Sequence, residues 1–291
     1  MKELVIITIV SWIMLSGLYA QTLDLSKPQD YLNAFTKVRG DAKGGETLFY
    51  WTGTVYSFIP GEKRMELFGF EGFNLARTVP GENGFSLLTR EAAFFTDHRS
   101  GQILETWRNP ITNKEIPVVH IWNDPVNQDM NFEPDMLPYI HQILPSTDLG
   151  EELVFNLEIF PFYPSPLPVK EYGEFSQSDT YQAAEFFQFF VDKEDLSNAK
   201  LSTVPVSISW SRISPWMPFM RMGDRPGNLV FVCRGRKLEG GFKALPQKIQ
   251  DYVLKTKPEF ASPPTEWSEP NETSWTYFRK LLEQGLIKQD N

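Results

Sequence analysis

The chain has 291 residues, with 28 Lys and Arg against 37 Asp and Glu and a formal net charge of −9. One Cys excludes an internal disulfide, and one Cys with three His is too few for a zinc ribbon or an iron–sulfur cluster. The acidic balance argues against a general nucleic-acid or anionic-membrane binder, since both need a basic surface.

Residues 1–20 read as a secretory signal peptide. Lys2 opens the segment, Leu4 to Leu15 is apolar except for Thr8 and Ser11, and small residues ending at Ala20 precede Gln21. This is the n-, h- and c-region order, with cleavage expected after Ala20. The apolar run falls short of the roughly 20 residues that span a bilayer. The expectation is an exported protein, periplasmic or secreted, whose residues 21–291 form one domain with no membrane span.

Asp24 to Val38 is expected to be a helix, with Asp24 or Ser26 as cap, Pro28 in the first turn and Tyr31, Leu32, Phe35 and Val38 on one face. From residue 46 the pattern changes to strands. Thr47–Ile59, Met65–Val79, Phe85–Phe95, Gln102–Trp107 and Ile116–Trp122 are aromatic and β-branched runs separated by short turns. Strands resume at Glu152–Phe160, Tyr181–Val191, Val204–Arg212 and Asn228–Arg236, although Tyr181–Val191 fits a helical period as well. Helices at Lys243–Lys255 and Ser274–Ile287 end the chain, and Asn271-Glu272-Thr273 reads as a cap for the second. Strands in this order must hide their edges. The expected fold is therefore mainly β, an antiparallel up-and-down barrel of the calycin or lipocalin type, with a two-sheet sandwich as runner-up.

Three stretches carry polar groups that a plain strand would not. In Phe68-Gly69-Phe70-Glu71-Gly72-Phe73-Asn74-Leu75-Ala76-Arg77, Glu71 and Arg77 share strand parity, and Asn74 faces the other way unless a bulge at Gly72 resets it. Two glycines in one strand mark a bulge or a close approach. The stretch is either a ligand wall or a buried pair of Glu71 with Arg77 or Arg90. His120 lies in an apolar run followed by Asn123 and Asp124; it is either a core histidine or a general acid–base group. The run from Trp210 to Gly227 holds Arg212, Arg221 and Arg225, which can bind carboxylates bidentately, with Trp216 as a stacking surface. It is either a binding loop or a packed plug closing one barrel end. The expected catalytic groups are His120, Glu71 and Tyr163. The expected binding groups are Arg77, Asn74, Trp107, Asn123, Arg212, Trp216, Arg221, Asp224 and Arg225. No cofactor or metal is expected, because no ligand spacing joins His98, His120 and His141.

These same motifs, together with Asn123-Asp124-Pro125-Val126-Asn127 and Asn271-Glu272-Thr273-Ser274-Trp275, resemble the bacterial family catalogued as domain of unknown function 1838. The resemblance spans nearly all of the mature chain. It implies one domain, implies export, and implies no activity.

Without a redox motif, the accessible chemistry is acid–base. The expected function is an exported lyase or dehydratase of polysaccharide breakdown. It would act on an acidic, uronate-containing oligosaccharide, with an Arg neutralising the carboxylate and His120 or a Tyr moving the proton. Glycoside hydrolysis by Glu71 and Asp224 is a variant of this reading. The alternative is a non-catalytic lipocalin-like barrel for a small apolar ligand, which 23 Phe would suit.

Overall fold

A computed structural model describes residues 23–289, and the expected signal peptide lies outside the described residues. Ten strands build the main sheet: β1 (Glu46–Phe58), β2 (Glu66–Gly81), β3 (Gly84–Thr96), β4 (Ile121–Asn123), β5 (Gln128–Asp129), β6 (Ser146–Asp148), β7 (Glu152–Ile159), β8 (Ala184–Asp192), β9 (Ser207–Ser214) and β10 (Asn228–Leu238). All neighbours are antiparallel, and the order is β4-β3-β2-β1-β10-β9-β8-β7-β6, with β5 also on β3. The protein is thus mainly β with a few helices. Tyr181–Val191, ambiguous in sequence, resolves into a short strand at 180–182 and β8.

First and last strands pair, as they would in an up-and-down barrel: Tyr50 lies opposite Arg236, and Val55 opposite Phe231. The ring does not close, however. It opens in mid-chain, between β4 on one side and β6 on the other, so no closed barrel forms among the described residues. The sequence placed two full strands on the β4 side, at 102–107 and 116–122. Only Ile121–Asn123 joins the sheet there, and 106–108 pairs with 115–117 as a separate ribbon. Two features interrupt the ladder. Pro117 has no N–H to give, and the His120 ring, not a backbone carbonyl, accepts the Phe95 N–H at 3.2 Å.

Helix α1 (Pro28–Arg39) fills the seam. Its Phe35 ring centroid lies 6.2 Å from Phe85 on β3 and 5.2 Å from Phe155 on β7, and Tyr31 lies 5.2 Å from Phe155. Tyr31, Leu32, Phe35 and Val38 are all buried, each contributing roughly 2 kcal/mol from removal of apolar surface from water. The expected caps do something else: the Asp24 carboxylate takes the Ser26 N–H and hydroxyl, and the helix starts at Pro28 with no side-chain cap. Helix α2 (Gln247–Thr256) packs Ile249 and Val253 on the outer face of the sheet, against Leu48, Phe73 and Phe94. Helix α3 (Ser274–Glu283) begins in a capping box in which Thr273 and Thr276 exchange hydrogen bonds, so the expected cap at Thr273 is present. No helix among the described residues is long and apolar enough to cross a membrane.

Candidate functional site

Side chains alternate across the sheet, so register decides which residues face inward. Phe49 lies opposite Asn74, Asn74 opposite Glu91, and Glu91 opposite Asn123; all four belong to the inner face. On the other half, Phe231 lies opposite Arg212 and Arg212 opposite Glu185. Part of the enclosed space is solid, filled by Phe68, Phe70, Phe95 and Phe231. The remainder is a cavity of about 310 Å³. Trp51, Trp210, Phe187 and Phe189 line its walls, with Tyr163, Tyr181 and the first residues of α3 also bordering it. Gly72 permits this wall, because a Cβ there would sit 2.7 Å from the Trp51 ring.

Two carboxylates and a guanidinium meet in this cavity from opposite halves of the sheet. Arg212 Nη1 lies 3.6 Å from Glu185 Oε1, and its Nη2 donates to the Tyr181 hydroxyl. Trp210 Nε1 donates to Glu185 Oε2 at 3.1 Å. Glu91 Oε1 accepts from Asn123 Nδ2 at 3.3 Å. Burial first, and then the negative Glu185, push the Glu91 carboxyl up to about 7, with Arg212 and Asn123 pulling it partly back. Burial works against the Arg212 charge, yet Glu185, Tyr181 and Glu91 outweigh it and hold the guanidinium above its ordinary pKa. Burial and the neighbouring Tyr181 push Tyr163 up to about 12, so it is a neutral phenol at pH 7. Three residues lining the cavity each keep a buried polar atom without a protein partner: Asn123 Oδ1, Trp51 Nε1 and Arg212 Nε. Such atoms cost roughly 1–3 kcal/mol apiece.

Of the residues singled out in sequence, Tyr163, Asn74, Asn123 and Arg212 line the cavity. The others lie elsewhere. Glu71 is on the outer face, where it pairs with Lys248 of α2 and accepts the Tyr50 hydroxyl at 3.0 Å. The register runs unbroken through Gly72, and the bulge sits at Val55/Tyr56, so Glu71 and Asn74 keep opposite faces. Neither expected pair forms, because Arg77 bonds Glu46 and Arg90 bonds Asp124. His120 is 6% exposed and packs edge-on against Phe94 and Tyr252; burial lowers its pKa to about 4. It is a core histidine by position. Trp107 packs against Phe68 with ring centroids 4.4 Å apart and the rings tilted.

The loop after β9 is the packed plug. Its Phe219 lies 5.1 Å from Phe95, and Met217 and Met220 are buried. Trp216 is buried too and donates to the Arg225 carbonyl. Arg221 pairs with Glu174, Arg225 lies 3.6 Å from Glu62, and Asp224 is exposed. Sequence reasoning passed over Glu91 and Glu185. The available signal was a lone carboxylate inside an otherwise aromatic or small-residue strand, in Glu91-Ala92-Ala93-Phe94-Phe95 and in Glu185-Phe186-Phe187. Among the described residues no group of three His, Cys, Asp or Glu is placed to hold a metal.

Fold and site together define an antiparallel β-protein whose curled sheet, sealed by a helix, surrounds a polar-and-aromatic cavity. The chain belongs to the family described as protein of unknown function DUF1838, whose model matches residues 44–282. No curated protein matches it.

Proposed function

We propose that this is an exported acid–base enzyme, a lyase of the dehydratase type, acting on a sugar-sized acidic substrate held in the cavity. The observation that carries this reading is the convergence of Glu91, Glu185 and Arg212 within a ring-lined cavity. Two carboxylates whose surroundings differ are a common basis for dividing acid and base roles. Glu91, half protonated near pH 7, gives its proton to a leaving hydroxyl. Glu185 takes the proton from the neighbouring carbon, the C–O bond breaks, a C=C bond forms and water leaves. Tyr163 and Asn74 orient the substrate hydroxyls, and Trp51 and Trp210 take its apolar face. The chemistry expected from the sequence is kept, and moves from His120 and Glu71 to Glu91 and Glu185. In this reading the curled sheet serves as a calycin-like cup.

The test is incubation of residues 21–291 with a panel of unsaturated uronate oligosaccharides, read by mass. The expected product is lighter by one water. Glu91→Gln and Glu185→Gln should each lose roughly 10²–10⁴ in rate, the usual worth of a general acid or base. Folded wild-type protein that leaves every substrate unchanged in mass contradicts the proposal. The ring-lined wall also favours a second reading, a non-catalytic cup for a small apolar ligand. That reading expects binding of a neutral ligand with no product.

A further inference from the structure

The cavity has a second charged end. Arg39, on the last turn of α1, lines it from the seam between β3 and β7. Its Cζ lies 4.9 Å from the centre of the Phe189 ring and 5.8 Å from that of Phe49, so two rings border the guanidinium. Nη2 donates to Gln128 Oε1 at 2.7 Å, and Gln128 lines the cavity as well. No carboxylate lies within ion-pair distance of Arg39 among the described residues, and burial lowers its pKa to about 10 with no acid offsetting it. Lys237 adds a second cation beside the same Phe49 ring, 5.4 Å from its centre. Its ammonium is already spent on the Lys37 and Gly40 carbonyls and the Thr203 hydroxyl. A half-buried guanidinium set among aromatic rings without a counter-charge gains when an anion joins it. Arg77, Arg90, Arg212, Arg221 and Arg225, by contrast, each have a carboxylate partner.

We infer that Arg39, braced by Gln128 and the Phe49 and Phe189 rings, is an anion subsite that takes a carboxylate of the ligand. Its planar donor fork matches a carboxylate better than a spherical or tetrahedral anion. Phe49 and Glu91 are two strands apart in one register row, roughly 10 Å across the sheet. A sugar acid anchored at Arg39 therefore reaches Glu91 with the far side of its ring or with the next residue of a short chain. The inference rests on the cavity being the substrate site, and it moves the acid-binding role away from the Arg-rich loop.

The experiment is a titration followed by tryptophan fluorescence, at constant ionic strength, with sodium glucuronate, glucose and sodium sulfate as probes. Wild-type protein should bind glucuronate at least tenfold more tightly than glucose. Arg39→Gln should abolish that preference, and Arg39→Lys should keep part of it. Three results would overturn the inference: equal binding of glucuronate and glucose by wild type, an unchanged preference in folded Arg39→Gln, or sulfate competing as well as glucuronate. The first needs no variant. An intact preference at Arg39 with no turnover on any substrate faults only the catalytic reading.

Discussion

Arg212 on β9 and Glu91 on β3 act on each other's charge although four steps of strand order separate them. In a flat sheet that separation is about 19 Å, at some 4.8 Å per strand. The interaction exists because the sheet curls most of the way to a barrel, and the curl is what makes the cavity.

Arg212 draws the Glu91 carboxyl down from where burial and Glu185 would put it. Arg212→Met should therefore raise the Glu91 pKa further above about 7 and move any Glu91-dependent activity limb to higher pH. The change also leaves Glu185 without its ion-pair partner. A loss of roughly 3–5 kcal/mol is expected, as for other buried pairs cut on one side. Urea unfolding read by fluorescence and a pH–rate profile measure the two effects separately.

Glu91 and His120 should push stability in opposite directions with pH. The folded Glu91 pKa of about 7 lies above the ordinary 4.5. Its contribution is thus complete below pH 4.5 and is lost as pH rises through 7. The folded His120 pKa of about 4 lies below the ordinary 6.5. Its contribution is complete above pH 6.5 and is lost as pH falls through 4. Each is worth roughly 3 kcal/mol at full extent, so between pH 4.5 and 6.5 their pH slopes nearly cancel in the wild type. Glu91→Gln should expose the His120 limb: stability of the variant falls on acidification from pH 6.5 to 4 and exceeds that of wild type at pH 8. Unfolding free energies across pH 4–8 provide the check.

Gly72→Ala should narrow the site without touching a polar group. The new Cβ would lie 2.7 Å from both the Trp51 ring and the Ala93 Cβ, so the ring must move into the cavity or the strands must part. A destabilisation of roughly 1–3 kcal/mol is expected from overpacking, with weaker glucuronate binding measured in the same preparation.

Glu71 belongs to the outer face, where its bond to Lys248 fastens α2 to β2. Glu71→Gln should lower stability by about 1–2 kcal/mol, because the half-buried Tyr50 hydroxyl keeps an acceptor while Lys248 loses its counter-charge. Turnover per folded molecule should not change. Thermal denaturation paired with an activity assay separates this outcome from a catalytic role.

The strands were legible where hydrophobic pattern alone decides them. Thr47–Ile59, Met65–Val79 and Glu152–Phe160 match β1, β2 and β7 to within two residues. Pattern failed at 102–122, where Pro117 and a side-chain acceptor, His120, replace ladder bonds that no periodicity reports. It also failed on closure, because whether β3 meets β7 or α1 depends on packing between segments more than forty residues apart. Parity correctly set Asn74 and Glu71 on opposite faces, but only the register of neighbouring strands shows which face is the inside. The Arg-rich loop drew notice by composition, yet composition does not reveal that Glu174 and Glu62 already answer two of its arginines. Arg39 lies one residue past the expected helix and ends the observed one, and nothing in one helix shows that it faces a seam.

The central claim is that Glu91 carries the titrating proton of this cavity at neutral pH. The most direct measurement is a carbon-13 NMR pH titration of glutamate side-chain carboxyls, in wild type and in Glu91→Gln. The account predicts one carboxyl with a midpoint near 7, absent from the variant. A wild-type protein whose glutamates all titrate below pH 5, or a midpoint near 7 that survives Glu91→Gln, would contradict it.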